Sequence, residues 1–118
     1  MRTLIGAAAL ALAIGNTVPA HAIVNVGLAV PGSFEVGYAT PQLILSKSAP
    51  ATFVNLDIQD HDIRSAQKRP NNQPWFLSDV ISAGETSTIE GLDTTPNGEY
   101  GFFCVVHPSM IGTATVMD

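Results

Sequence analysis

The sequence predicts an all-β domain, and three observations lead to that prediction. Short apolar or β-branched stretches recur along the chain, and turn residues separate them roughly every 8 to 12 positions. No segment has the sustained period of about 3.6 residues that indicates a helix. The 118 residues include 10 Gly and 8 Pro without a strict period, which is typical of a chain with many tight turns. We therefore expect one domain, built as a β-sandwich or barrel.

The expected strands follow from local patterns. Apolar residues alternate with other residues from Val24 to Val30, which predicts a half-buried strand that ends at a Pro-Gly-Ser turn. Apolar or β-branched runs bounded by turn residues predict further strands at 43–45, 52–56, 75–81 and 86–89. After a turn that ends in Asn-Gly, Tyr100, Phe102 and Cys104 share one face of a strand, and residues 112–116 form the last strand. The polar stretch 57–72 predicts a long loop, with one helical turn within it as the alternative.

The first 22 residues have the layout of a secretory signal peptide. Arg2 gives a positive start, residues 4–14 are apolar, and Ala20-His21-Ala22 forms an A-x-A cleavage site. The apolar run is shorter than the roughly 20 residues that a transmembrane helix needs, although an uncleaved anchor is the alternative. We therefore expect a signal peptide at 1–22, a mature domain at 23–118, a periplasmic or secreted location and no stable membrane insertion after cleavage.

Composition excludes several classes of function. Hydrophobic residues make up 46% of the chain and charged residues only 13%, which excludes a disordered protein. Five basic residues against ten acidic ones give a net charge of −5, so no nucleic-acid-binding surface is expected. The chain has one cysteine, Cys104, and hence no intrachain disulfide. An unpaired cysteine in an exported protein is buried and inert, forms an intermolecular bond, or binds a metal.

The residues that carry chemistry are concentrated in one short segment. Cys104, His107 and Met110 have C-x-x-H-x-x-M spacing between two predicted strands, and His61 is the remaining histidine after residue 22. A thiolate, two imidazoles and a thioether are the donors of a blue-copper site, in which two His and one Cys form a plane and a Met binds weakly on the axis. Met117 is the rival axial residue, but a strand separates it from Met110. The pattern predicts one type 1 copper bound by His61, Cys104, His107 and Met110.

The chain resembles the plastocyanin and azurin family of cupredoxins, and its ligand loop is most similar to that of amicyanin. The resemblance rests on the strand before the first histidine (residues 53–57, FVNLD), the aromatic strand that enters the cysteine (99–104, EYGFFC), and the strand that leaves the methionine (110–113, MIGT). It implies a Greek-key β-sandwich of about seven to eight strands and single-electron transfer. It also implies the same four copper ligands, His61, Cys104, His107 and Met110.

One position departs from the family pattern. Many of these proteins have Asn directly after the first histidine, where it ties the two ligand loops together, whereas this chain has Asp62. A carboxylate accepts a backbone N–H but cannot donate one, so a rearranged bond between the loops is expected. Because Asp60 and Asp62 flank His61, we interpret them as acids of a solvated loop.

The expected function is that of a mobile one-electron carrier rather than an enzyme. Multicopper enzymes need further histidines, and no G-x-S-x-G nucleophile motif is present. The expected partners are a donor and an acceptor redox protein, such as a cytochrome or an oxidoreductase, and the carrier is expected to be a monomer. A copper chaperone or sequestration protein is the alternative, because the same ligands could hold copper without passing electrons. A structural zinc site ranks third, since Met is a poor zinc ligand.

Export gives a direct test of the predicted leader. The mature protein is expected to begin at Ile23 or within a few residues of it, because the A-x-A site ends at Ala22. Intact-mass measurement of the protein from the exported fraction checks this. Full-length protein found in the membrane fraction would contradict the prediction of a soluble carrier.

Overall fold

The computed structural model describes residues 23–118, and the signal peptide predicted at 1–22 lies outside the described residues. This part of the chain forms eight strands: β1 Ile23–Val24, β2 Val26–Ala29, β3 Gln42–Ser46, β4 Thr52–Asn55, β5 Arg64–Ser65, β6 Thr86–Thr88, β7 Gly98–Phe103 and β8 Ile111–Met117. A four-residue helix, α1, spans Ser33–Val36, and a 3-10 turn spans Leu92–Thr94. Between residues 23 and 118, no helix has both the length and the apolar character needed to cross a membrane.

The strands form two mixed sheets. The larger sheet has the order β1-β3-β8-β7-β5, with parallel pairing from β1 to β8 and antiparallel pairing from β8 to β5. The smaller sheet has the order β2-β4-β6, in which β2 and β4 are parallel and β4 and β6 antiparallel. The prediction of an all-β sandwich is therefore confirmed.

The core between the sheets is aromatic. Phe53 from β4 and Phe102 from β7 are fully buried, and each meets the ring of Tyr38 edge-on, at centroid distances of 6.1 and 5.1 Å. Such edge-to-face pairs add roughly 0.5 to 1.5 kcal/mol to the effect of burial. Tyr38 thus joins the two sheets below the end of the sandwich where Cys104 follows β7.

The predicted first strand is in fact two strands in different sheets, and its expected buried face is wrong. Val24 and Val26 are exposed, whereas Asn25, Gly27 and Ala29 face the interior. Ile63, just before β5, lies against the inward face of this strand, because a Cβ at Gly27 would be 2.3 Å from its Cδ1 atom. A larger residue at position 27 would require the Ile63 side chain to shift, so the inward-facing glycine lets Ile63 pack closely against this strand.

Asn25 makes the change of sheet possible. It has a φ of 61°, in the left-handed region that Asn tolerates better than most residues. Its side chain accepts a hydrogen bond from the Ser46 N–H at 2.7 Å and donates to the carbonyls of Ser46 and Ala49, both at 3.2 Å. Its backbone bonds Ile44 of one sheet and Thr52 of the other. The chain can therefore leave β1 and enter β2 without orphaned polar groups.

The long polar loop is more ordered than expected. It contains the short strand β5, and residues 75–81, predicted as a strand, pair only through isolated bridges at Leu77 and Ile81. The Arg69 guanidinium donates to the carbonyls of Pro74, Trp75 and Gly91 and lies 4.8 Å from the centroid of the Trp75 ring. Such bonds take the place of a regular ladder and fix this loop against the sandwich.

Strand register brings the candidate ligands to one end. Phe103 pairs with Ile111, so residues 104–110 connect β7 and β8 at a single end of the sandwich. Arg64 pairs with Phe103, which brings the segment that carries His61 to the same end. Met117 pairs with Ser46 at the opposite end of β8.

Replacing Asn25 with Ala tests the change of sheet. Asn25→Ala removes three side-chain hydrogen bonds of a mostly buried residue and leaves Ala at a positive φ. The free energy of unfolding should therefore fall by about 2 to 4 kcal/mol. Asn72→Ala is the matched control, because Asn72 also has a positive φ, of 70°, but is exposed. It should cost only about 1 kcal/mol. Urea denaturation measures the free energy of unfolding of both variants. Equal decreases would show that the side-chain hydrogen bonds of Asn25 do not contribute to stability.

Candidate metal centre

Three potential ligands from two distant segments meet at one point. One donor atom from each of His61, Cys104 and His107 lies within 4.8 Å of the other two. His61 Nδ1 is 3.8 Å from Cys104 Sγ, and the two imidazole rings are 4.8 Å apart between centroids. Imidazole and thiolate ligands lie about 2.0 to 2.3 Å from an ion such as Zn²⁺, which puts donors on one ion roughly 3.5 to 4.5 Å apart. The His61–Cys104 distance lies in this range and the bound for the whole group is slightly above it, so the three residues are close enough to bind a single ion after a small adjustment.

The loop after β7 is closed by its own backbone. The Cys104 N–H donates to the Met110 carbonyl at 3.1 Å, and the Met110 N–H donates to the His107 carbonyl at 2.8 Å. The His107 N–H in turn lies 3.4 Å from Cys104 Sγ and donates to it. These three bonds make the C-x-x-H-x-x-M segment a compact turn, so its backbone is already shaped before any ion binds.

His61 is held from the other side. Its backbone pairs with that of Ile81 in both directions, at 3.2 and 3.0 Å. The Asn55 side chain, at the end of β4, donates to the carbonyls of Gln59 and Ile81. The turn between β4 and His61 is thereby tied to the same Ile81 that pairs with His61, which fixes the height of the imidazole above the core.

The candidate ligands differ in exposure. His61 and Cys104 are 0% exposed and Met110 is 1% exposed, whereas His107 is only partly buried. Met110, the predicted axial residue, bounds the turn through its two backbone bonds to Cys104 and His107. Water is thus kept from three of the four residues, and the site meets the solvent through His107.

Ionisation of the Cys104 thiol is unfavourable unless a cation lies close to it. Burial raises the pKa of Cys104, and the nearby Asp62 carboxylate also raises it. Backbone N–H groups, including that of His107, lower the pKa in part. A bound metal ion supplies the positive charge that makes a buried thiolate stable, and a coordinating thiol is deprotonated outright. The thiol environment therefore favours metal binding over free nucleophilic reactivity.

The donor set fits a soft first-row metal. The His107 Nδ1 atom is buried and has no hydrogen-bond partner among the described residues, which is costly for a polar atom unless it binds something else. It lies in the group whose other members are an imidazole and a thiol. Thiolate and imidazole suit copper, and Met110, whose backbone closes the same turn, is the available thioether, whereas a four-coordinate zinc site would use a further Cys, His or carboxylate.

Asp62 joins the two ligand segments, although a rearranged bond between the loops was expected at this position. Its Oδ1 accepts the Val105 N–H at 2.8 Å, across 43 residues of sequence. The expectation that it belongs to a solvated loop is wrong, because Asp62 is 0% exposed while Asp60 is exposed. The reason is non-local: the Tyr38 hydroxyl donates to the Asp62 carbonyl and draws the residue into the core.

The second carboxylate oxygen of Asp62 accepts no hydrogen bond from the described residues. Asp62 Oδ2 lies 3.8 Å from Arg64 Nε, and neither atom has a hydrogen bond among the described residues. Burial raises the pKa of Asp62, and the Val105 N–H and the Arg64 charge only partly oppose it. The loop-to-loop bond therefore brings a carboxylate next to the thiol, where the usual Asn would bring a neutral amide.

Two residues near the site were not identified from the sequence. The Asp57 carboxylate lies 2.7 Å from His61 Nε2, and both side chains are essentially inaccessible. Burial alone would raise the pKa of Asp57, but the hydrogen bonds from His61 and the Ile58 N–H outweigh it, so the pKa is below its ordinary value. Phe34 of α1 lies 6.1 Å from His107 between ring centroids. The i, i+4 spacing of Asp57 and His61 was the available signal; Phe34 had none.

Comparisons with known proteins agree with this geometry. Neither protein-family models nor curated protein sequences match the chain. Among solved structures, it is similar to a purple cupredoxin from Nitrosopumilus maritimus, with 23% identity, a TM-score of 0.59, and coverage of 77% of this chain and 97% of that one. It is also similar to a reduced amicyanin variant, with 20% identity, a TM-score of 0.59, and coverage of 84% and 85%. The chain therefore has the cupredoxin fold.

Proposed function

We propose that this chain binds one type 1 copper ion through His61, Cys104, His107 and Met110 and acts as a one-electron carrier between redox proteins. The observation that carries the proposal is the convergence of His61, Cys104 and His107 within 4.8 Å, with the buried His107 Nδ1 otherwise unpartnered. Similar solved structures support copper as the metal, since one is an amicyanin in its Cu(I) form, with a TM-score of 0.56 and 20% identity.

Copper bound here would supply the one-electron Cu(II)/Cu(I) couple. The protein's own contribution is rigidity and the exclusion of water. His61 and Cys104 are fully buried, and the ligand turn is closed by its own backbone hydrogen bonds. Because these contacts exist without an ion, the side chains need little movement when the charge of the site changes. Carrier chemistry suits such a site, whereas an enzyme needs an open position for a substrate.

His107 is the natural route for electrons. It is the one candidate ligand with appreciable exposure, and the ring of Phe34 packs beside it. Val105 and Val106 of the same turn are each 44% exposed, so the rim around His107 is apolar. Small apolar contacts of this kind suit short-lived encounters between redox proteins.

The charge of the chain suggests the kind of partner. A net charge of −5 would speed association with a basic redox protein at low ionic strength, and salt would weaken that effect. The leader predicted at residues 1–22 supports a location in the periplasm or outside the cell. We propose that the mature carrier is a monomer that meets a donor and an acceptor in turn.

Absorption spectroscopy tests the proposed function. The mature protein loaded with one equivalent of Cu(II) should show an intense visible thiolate-to-copper band that disappears on reduction and returns on oxidation. Cys104→Ser should abolish the band, because a hydroxyl has no comparable charge transfer, while Ser109→Ala at an exposed position of the same turn should retain it. A protein that binds copper without a reversible visible band would contradict the carrier proposal and favour sequestration.

Two methionine variants test the axial residue. Met110→Leu should retain the visible band and raise the reduction potential, because loss of a weak axial donor destabilises Cu(II) more than Cu(I). Met117→Leu is the matched control, since Met117 pairs with Ser46 at the far end of β8 and should leave the potential unchanged. Cyclic voltammetry measures both. A shift in Met117→Leu without one in Met110→Leu would show that the axial assignment is wrong.

A further inference from the structure

We infer that Asp57 is a positioning residue for the candidate metal centre: its carboxylate fixes the His61 ring with the proton on Nε2 and the lone pair of Nδ1 directed at the metal position. The inference rests on the proposed function in taking His61 Nδ1 as a ligand atom. It concerns a residue that lies outside the four proposed ligands and outside the C-x-x-H-x-x-M segment.

The geometry of the ring leads to this assignment. His61 Nε2 is 2.7 Å from Asp57 Oδ2, while Nδ1, on the other side of the ring, is 3.8 Å from Cys104 Sγ. A neutral imidazole carries one N–H donor and one bare acceptor nitrogen, and an ionised carboxylate can only accept. The proton therefore belongs on Nε2, and Nδ1 keeps the lone pair that a metal ion needs.

Asp57 is itself fixed by the chain around it. Its Oδ1 accepts the Ile58 N–H at 2.8 Å, and its own N–H donates to the Asn55 side-chain oxygen at 2.9 Å. Asn55 is fully buried and also donates to the Ile81 carbonyl, while Ile81 pairs with the backbone of His61. Carboxylate, amide and imidazole thus form a closed, buried frame with a single arrangement.

The frame has a consequence for metal binding. A carboxylate that accepts the second N–H of a ligand histidine raises the basicity of the ligating nitrogen, and losing such a partner typically weakens metal affinity about 10- to 100-fold. A more basic nitrogen and a nearby negative charge favour the more highly charged ion. Asp57 should therefore strengthen binding of Cu(II) more than binding of Cu(I), and so lower the reduction potential.

The variant Asp57→Asn probes the frame with nearly unchanged shape. The amide has one acceptor oxygen where the carboxylate has two, yet the Ile58 N–H and the His61 Nε2–H both need an acceptor. If the oxygen stays with Ile58, the amide NH₂ faces Nε2 and drives the proton to Nδ1, which blocks the ligand atom. Asp60→Asn is the matched control, because Asp60 lies in the same loop and is exposed.

The test uses the metal-free and the copper-loaded mature protein. Long-range ¹H–¹⁵N NMR of the metal-free wild type at about pH 8 should show His61 as the Nε2–H tautomer. Asp57→Asn should lose that pure tautomer, bind Cu(II) about 10- to 100-fold more weakly, and have a raised potential, whereas Asp60→Asn should match the wild type.

Two outcomes would overturn the inference. One is a wild-type His61 that carries its proton on Nδ1, a measurement that needs no variant and so does not depend on the folding of Asp57→Asn. The other is a folded Asp57→Asn with wild-type tautomer, affinity and potential. Failure of the proposed function gives a different result, because a wild type without a visible copper band would still report the tautomer of its metal-free form.

Discussion

The candidate metal centre depends on a single constraint: two loops must stay in register although 43 residues of sequence separate their ligands. The hydrogen bond from the Val105 N–H to the buried Asp62 carboxylate meets this constraint directly. Tyr38 anchors Asp62 from below, and its ring packs on Phe53 and Phe102, one from each sheet. The distance between His61 and Cys104 is therefore set by how the sandwich packs, and the site inherits the rigidity of the core.

Features of the fold and of the metal centre could be predicted from the sequence where they depend on neighbouring residues, but not where they depend on packing between distant ones. The C-x-x-H-x-x-M turn is determined by short-range bonds among Cys104, His107 and Met110, so its spacing in the sequence was sufficient to identify it. The buried face of the first strand could not be predicted in this way, because alternation of residue types gives the period of a strand but not which face is buried. That orientation depends on packing between distant parts of the chain, such as the close approach of the Ile63 side chain to Gly27. Non-local packing likewise buries Asp62 and leaves its neighbour Asp60 exposed.

Asp57 shows the same limit at the site itself. In sequence it is an acid at the start of a polar loop, and most such residues are solvated. It is buried because Asn55, at the end of β4, turns the chain inward and gives the Asp57 N–H an acceptor. Its spacing of four residues from His61 allows a contact between the two side chains. The contact forms because Asn55, at the end of β4, holds Asp57 in place. Residues that orient a ligand are harder to predict than the ligands, because their role depends on the backbone between them.

The charges around the thiol follow from these positions. Cys104, Asp57 and Asp62 are all buried at the same end of the sandwich, and Arg64 approaches one of the three, lying 3.8 Å from Asp62. A divalent ion neutralises more of this negative charge than a monovalent ion does, and uncompensated charge is costly where water is excluded. If the proposed copper binds here, these carboxylates would therefore favour Cu(II) over Cu(I). The candidate ligands and the buried carboxylates have different origins, because Cys104, His107 and Met110 belong to the turn after β7, whereas Asp57 and Asp62 come from the loop between β4 and β5.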